Sequence, residues 1–432
     1  MKKIALFLLT LILFFADTTA QTKTHPVITT AATPEVAGFS SERLKRIDNV
    51  FKDYVAKEKL NAVVGLIIRD GKIAYYKSFG YDADVNTSLK KDAIFRIASQ
   101  TKAITSVAIM MLYEEGKFML DDPISNYIPE FKNPKVLDKF NKEDTTYTTV
   151  PAKREISIRD LLTHTSGIGY AQIGSAEANA IYAKADVRSG IGVDKIVLGD
   201  KMKVLGGLPL LHNPGEKWTY GLNTDLLGYL VEVVSGITLD EFFRKRIFEP
   251  LGMKDTYFYL PKEKYNRLAT LYTEDRTTKK AVKMDEQITI GGKTFYRDYP
   301  KTDGTYYSGG GGLSSTIYDY AIFLQMMLND GEYNGKRLLS RNSVRMMTMN
   351  QIGDLTIGPG NKFGLGFGIT TEKGSAIIPT QAGTFDWGGM FATTYWVDPK
   401  EKLIGLMYRN IWPSSNNLGN QYKVLVYQAI NN

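Results

Sequence analysis

The chain has 432 residues, 43% of them hydrophobic, enough to bury a large core in one or two domains. Its net charge of +8 comes from 54 basic residues spread among 46 acidic ones, a solvated surface that excludes a nucleic-acid-binding footprint. There is no cysteine, which excludes disulfides, thiolate metal sites and lipid attachment at an N-terminal cysteine.

Residues 1–20 read as a signal peptide. Lys2 and Lys3 form the charged start, Ile4 to Phe15 the apolar core, and Thr18 and Ala20 the small residues before a cut near Gln21. That core is too short to span a bilayer comfortably, so the expectation is a periplasmic or secreted protein with no stable membrane anchor after cleavage. Residues 21–36, rich in Thr, Pro and Ala, read as a flexible leader. Residues 37–120 then read as the first part of an α/β domain. Ser40 to Lys59 is helical through Leu44, Ile47, Val50, Phe51, Tyr54 and Val55. Ala62 to Ile68 and Ile73 to Phe79, joined at Asp70-Gly71, give a hairpin signal. A helix starts at Ser99, runs to about Glu115 and stops at Gly116.

Residues 121–300 carry a helical pattern with long connections, read as an inserted helical domain, and residues 301–432 complete the α/β domain. The four glycines of Ser308 to Gly312 lack the Lys-Ser/Thr of a phosphate loop, so they read as a tight turn into a helix from Thr316. Strand-like runs return at Phe363 to Thr370, Ala392 to Val397 and Lys402 to Tyr408, before a last helix from Asn417 to Ile430. Strands at both ends around a helical middle imply one sheet built from both halves of the chain, an α+β fold.

The chemistry concentrates at Ser99-Gln100-Thr101-Lys102. A serine hydroxyl is a poor nucleophile and needs a neighbour to take its proton. On a helix, the side chain three residues on lies one turn away, within reach of the serine oxygen. A second match to this spacing, Ser88-Leu89-Lys90-Lys91, sits in a polar stretch with no apolar run after it, so context selects Ser99. No serine has the G-x-S-x-G surroundings of an α/β-type hydrolase. His25, His164 and His212 form no metal-spaced pair, so no metal or other cofactor is expected, and His164 is expected to hold loop structure.

Three further segments carry a resemblance. Ile158-Arg159-Asp160-Leu161-Leu162-Thr163-His164-Thr165-Ser166-Gly167 is similar to the R-D-L-L-T-H-T-S-G signature of the class C-like branch of the serine beta-lactamase and penicillin-binding-protein superfamily. Pro214-Gly215-Glu216-Lys217-Trp218-Thr219-Tyr220 resembles that branch's tyrosine motif, and Trp387-Gly388-Gly389 stands where it carries K-T-G or H-x-G. The resemblance implies an antiparallel sheet flanked by helices with an all-helical domain inserted, and an active site in the cleft between them. It implies Ser99 as the acylated nucleophile, Lys102 and Tyr220 as its proton-handling partners with either as the base, and the N–H groups of Ser99 and Met390 as the oxyanion hole. A phenol needs a nearby cation such as Lys102 to act as a base at neutral pH.

Two departures from the pattern bear on substrate. The asparagine expected two residues after the tyrosine is Leu222, with Asn223 one residue late, and Asn223 reaches substrate only if the turn bulges. Trp387 replaces the lysine or histidine that helps bind a carboxylate, offering one donor and an apolar face. Both lean toward neutral esters, so the chain looks most similar to the beta-lactamase-fold (family VIII type) carboxylesterases that carry W-G-G. Substrate-binding residues are then Trp387, Gly388, Gly389, Met390 and Asn223, and the partner is a small-molecule ester. A beta-lactamase, D,D-carboxypeptidase or D-aminopeptidase with peptide-like substrates remains open, as does a non-catalytic cell-wall or partner-binding homologue.

Overall fold

The centre of the molecule is a sheet whose strands are apolar on both faces. The computed structural model describes residues 25–192, 195–290 and 293–431. The main sheet comprises β1 (Thr29–Thr30), β2 (Ala62–Arg69), β3 (Lys72–Asp82), β4 (Thr87–Ser88), β5 (Asn361–Phe363), β6 (Gly368–Thr370), β7 (Phe385–Gly388), β8 (Thr394–Asp398) and β9 (Leu403–Tyr408). Their order is β1-β3-β2-β9-β8-β7-β6-β5, with β4 on β3. Only β1 pairs in parallel. The two halves of the chain meet at the antiparallel β2–β9 ladder, Arg69 opposite Leu403 through Val64 opposite Tyr408.

Alternation along the strands divides the core. Val63, Ile67, Trp396, Leu403 and Met407 face the helices α1 (Ser41–Ala56) and α5 (Leu418–Tyr427) through Ile47, Phe51, Tyr422 and Val426. Val64, Leu66, Ile68, Val397, Ile404 and Leu406 face the larger core, which includes Ile104 and Val107 of α2 (Thr101–Glu114) and Phe323 and Leu324 of α4 (Ile317–Leu328). Helices cover both faces, so β2 and β9 need no polar side. Every residue of α2 from Thr101 to Leu112 is buried, the polar Thr101, Lys102, Thr105 and Ser106 included.

The signal segment lies outside the described residues, and several expectations elsewhere in the chain are corrected. The leader, read as flexible, is tied down over residues 25–36: Thr29 and Thr30 extend the sheet beside Lys72 and Ile73, and Ile28 is buried. Pro34–Ala37 forms a 3₁₀ turn closed by Gly38 in the left-handed region. Composition missed this because the edge that Thr29 and Thr30 pair with lies in another segment. The inserted region is not purely helical either. Beside helices such as α3 (Asn223–Ser235) it carries hairpins Lys135–Phe140 with Tyr147–Pro151, Tyr272–Glu274 with Ala281–Lys283, and Gln287–Ile290 with Lys293–Tyr296. These strands are too short to register as periodicity. The run Phe363 to Thr370 is two strands, because Gly366 turns the chain in the left-handed region and Gly364 lies against the Met347 carbonyl, where a Cβ would clash.

Two features position Ser99. Ile94–Arg96 pairs antiparallel with Ser314–Thr316, the segment after the glycine run. The chain then turns sharply into α2 through a 3₁₀ turn, Ala98–Gln100, in which Ala98 takes φ +43°, a costly conformation for a residue with a Cβ. Among the described residues no helix is long and apolar enough to cross a membrane.

Candidate active site

Ser99 sits on that turn, half-buried at the base of a cavity of about 780 Å³. Tyr220 Oη donates to Ser99 Oγ at 2.6 Å. Lys102, one turn along, is 2% exposed. Its three N–H groups go to Ser99 Oγ at 3.3 Å, the Gly310 carbonyl at 2.6 Å and Tyr170 Oη at 3.5 Å, and Nζ lies 4.7 Å from the Tyr220 ring centre. Burial pulls the Lys102 ammonium down, but Tyr170, Tyr220 and Asp225 outweigh it and hold its pKa above the ordinary lysine value. Lys102 is therefore a fixed cation at neutral pH. Burial raises the phenol of Tyr170 against the pull of that charge.

An aromatic cluster fixes Tyr220. Its ring stacks on Tyr170 at 5.4 Å and Trp218 at 6.1 Å, and meets His164 at 5.0 Å and Trp387 at 5.7 Å. Trp387 leans edge-on to Phe363, which also touches Trp218. The Tyr220 hydroxyl is thus carried by a ring packed on several sides.

The end of β7 comes up against the segment before Ser99. A Cβ on Gly389 would stand 2.3 Å from the Ile97 carbonyl and 2.4 Å from Thr393 Oγ1, so glycine permits the approach. Gly389 N–H is taken by the Thr393 carbonyl at 2.8 Å, while among the described residues Met390 N–H meets no acceptor. Beyond Met390 the wall is apolar: Ile191, Phe295 and Trp412 line the cavity and belong with Met390 to a small core that begins at Ala98.

A profile of the Beta-lactamase family matches residues 47–428. The chain belongs to the beta-lactamase family. Among relatives of this beta-lactamase-family chain, Protein Rv1367c of Mycobacterium tuberculosis is 33% identical over 362 residues, covering 81% of this chain and 85% of that one. Esterase EstB of Burkholderia gladioli is 28% identical over 392 residues, 88% of this chain and 94% of that one. The solved structure of "EstCE1, a hydrolase with promiscuous acyltransferase activity" superposes with a TM-score of 0.75 at 24% identity, covering 90% and 99%, which shows the shared fold. The chain is an enzyme of the serine-hydrolase kind.

Of the residues singled out in the sequence, Ser99, Lys102, Tyr220, Trp387, Gly388, Gly389 and Met390 converge in this beta-lactamase-family site. Asn223 does not, which corrects the expectation that it binds substrate. It is fully buried: its Oδ1 accepts from Ser166 Oγ and its Nδ2 lies 2.8 Å from His164 Nδ1. In the turn before it, Gly221 is pressed against Ile168, where a Cβ would sit 2.0 Å from the carbonyl oxygen. His164 is an acceptor at Nδ1; burial, then the Lys102 charge, hold its pKa well below the usual value. Among the described residues no cluster of three or more His, Cys, Asp or Glu is placed to hold a metal ion. Sequence reasoning missed Tyr170, Gly310 and Asp225. Asp225 is buried on α3, accepts from Ser308 Oγ and, at 3.3 Å, from Gly310 N–H.

Proposed function

We propose that the protein is an exported serine hydrolase that cleaves carboxylic esters through an acyl intermediate on Ser99. The observation that carries this reading is the 2.6 Å contact between Tyr220 Oη and Ser99 Oγ with the Lys102 ammonium behind both, in a largely apolar cavity that Trp387 also lines. Esterase EstB, as its name states an esterase, supports the choice of ester.

Ser99 Oγ attacks the ester carbonyl while its proton passes to Tyr220 Oη, whose own proton turns toward the leaving oxygen, and the Lys102 ammonium stabilises the negative charge that develops on the phenol oxygen. The N–H groups of Ser99 and Met390 receive the oxyanion. Tyr220 then gives the proton to the departing alkoxide, leaving the acyl group on Ser99. Water entering on the vacated side gives its proton to Tyr220 and attacks the acyl carbonyl, and Tyr220 hands a proton to Ser99 Oγ as the acyl–oxygen bond breaks and the acid is released. Lys102 keeps its protons throughout. Export rests on the segment from Lys2 to Ala20.

The test compares the protein with Ser99→Ala on p-nitrophenyl butyrate and a chromogenic cephalosporin. Ester cleavage lost in the variant, with little cephalosporin turnover, is the expected result. Efficient cephalosporin turnover would instead make the protein a beta-lactamase in activity. Failure of a fluorophosphonate to label Ser99 would favour a non-catalytic homologue.

A further inference from the structure

The cavity contains an ion pair as well as the nucleophile. Lys423 of α5 and Asp386 of β7 line it together with Ser99, and Lys423 Nζ lies 2.8 Å from Asp386 Oδ2. Among the described residues Lys423 is the single lysine or arginine that does so. Its side chain is 15% exposed against 34% for Asp386, and its ammonium also lies 5.5 Å from the Trp396 ring. The cation is thus held from two sides, with Asp386 the more open partner.

A half-buried cation in a substrate cavity is the natural partner of a carboxylate. Here Asp386 already fills that role. A substrate carboxylate arriving at this end meets Asp386 as a like charge and finds Lys423 occupied, so it sheds hydration without gaining a partner. A neutral substrate meets no such penalty, since the pair carries no net charge. Met390 follows Asp386 by four positions, at most about 13 Å along the chain, and the pair stands at the far end of that stretch, so it reads the distal end of a substrate rather than the group beside the scissile bond. Building on the ester-hydrolase reading, we propose that Asp386 is a specificity-determining residue: by occupying Lys423 it closes the cavity to carboxylate-bearing esters, and its removal opens the cavity to them.

The experiment uses the mono-p-nitrophenyl esters of suberic and sebacic acid, each beside its methyl-capped, neutral counterpart. The readout is the ratio of kcat/KM for the free acid to that for the capped ester. The wild type is expected to prefer the capped ester by about tenfold, a difference typical of one unmatched charge in a pocket. Asp386→Asn should raise the ratio about tenfold, and the gain should vanish in Asp386→Asn combined with Lys423→Met, which a merely structural role for Asp386 would not produce. Asp386→Ser serves as a second replacement should the asparagine variant fold poorly. Capped esters turned over by the wild type with a ratio unmoved in the folded Asp386 variants would overturn the inference alone. A gain that persists without Lys423 would do the same. A wild type that hydrolyses none of these esters would overturn the ester-hydrolase reading, and this inference with it.

Discussion

Lys102 and Asp225, both buried, are joined through a single residue: Gly310 gives its carbonyl to Lys102 Nζ at 2.6 Å and its N–H to Asp225 Oδ1 at 3.3 Å. Neither charge is placed by its own helix alone. The run of four glycines is what brings the backbone between them, because a Cβ on Gly310 would stand 2.3 Å from Asp225 Oδ2.

Burial pushes the Asp225 carboxyl up to about 6, against the pull of Lys102 and of its hydrogen bonds. The folded protein therefore keeps this proton through a window, from the ordinary carboxylate range near pH ~4 up to 6, in which the unfolded chain has lost it. The contribution to stability is fully present below that window and is lost as pH rises through 6. Asp225→Asn keeps an acceptor for Ser308 and Gly310 but removes the buried charge. Its Tm should exceed that of the wild type by a few degrees at pH 7.5, corresponding to about 2 kcal/mol, with the gap closing toward pH 4. A gap of equal size at both pH values would mean that Asp225 does not titrate in this range.

Tyr220 and Tyr170 both stand beside Lys102, yet of the two it is Tyr220 that bonds Ser99. Tyr220→Phe deletes the hydroxyl at 2.6 Å from Ser99 and keeps the ring stacked on Tyr170 and Trp218. It should lower kcat by about 10²- to 10⁴-fold, the scale of a lost general acid–base group, with little change in Tm. Tyr170→Phe removes the weaker 3.5 Å contact to Lys102 and should cost at most about tenfold. Ester hydrolysis and thermal melts on both variants check this, and the reverse ranking would reassign the proton-handling tyrosine.

Asn223→Ala separates a structural asparagine from a substrate-binding one. The change leaves buried His164 Nδ1 without its donor and the buried Ser166 hydroxyl without its acceptor, while Ile168 N–H still donates to Ser166 Oγ, so Tm should fall by an amount corresponding to about 1–3 kcal/mol. KM for a neutral ester should stay within about twofold, since Asn223 does not line the cavity. A raised KM with an unchanged melt would place Asn223 back at the substrate.

What could be read from the sequence follows how locally each feature is encoded. Ser99 and Lys102 share one helical turn, and Tyr220 and Trp387-Gly388-Gly389 sit in short motifs, so each was visible without knowing the fold. Tyr170, Gly310 and Asp225 reach Lys102 from three separate segments, and no window along the chain contains their relationship. The apolar wall of Ile191, Phe295 and Trp412 is assembled in the same non-local way. Asn223 was misassigned because the direction of its side chain depends on how closely Gly221 approaches Ile168, which spacing does not reveal. The sheet halves were legible because β2 and β9 are continuous apolar runs, whereas β1 is two residues long and exists only through its partner β3.

Adjacent glycines at the end of β7 should respond unequally to alanine. At Gly388 a Cβ would come 3.2 Å from the Thr393 carbonyl, which a shift of a few tenths of an ångström relieves. At Gly389 it would stand 2.3 Å from the Ile97 carbonyl, in the backbone two residues before the nucleophile, so either the strand end or that turn must yield. Both bear on the distance between the Met390 N–H and the Ser99 carbonyl adduct. Gly389→Ala should therefore lower kcat about 10- to 100-fold, approaching the loss of an oxyanion donor, with KM less affected because substrate binding uses the cavity walls. Gly388→Ala should lose less than about tenfold. Steady-state kinetics on the two variants, with fluorophosphonate labelling rates as an independent measure of Ser99 reactivity, distinguish the cases. Equal losses would mean that the close approach of Gly389 to Ile97 has no part in placing the Met390 amide.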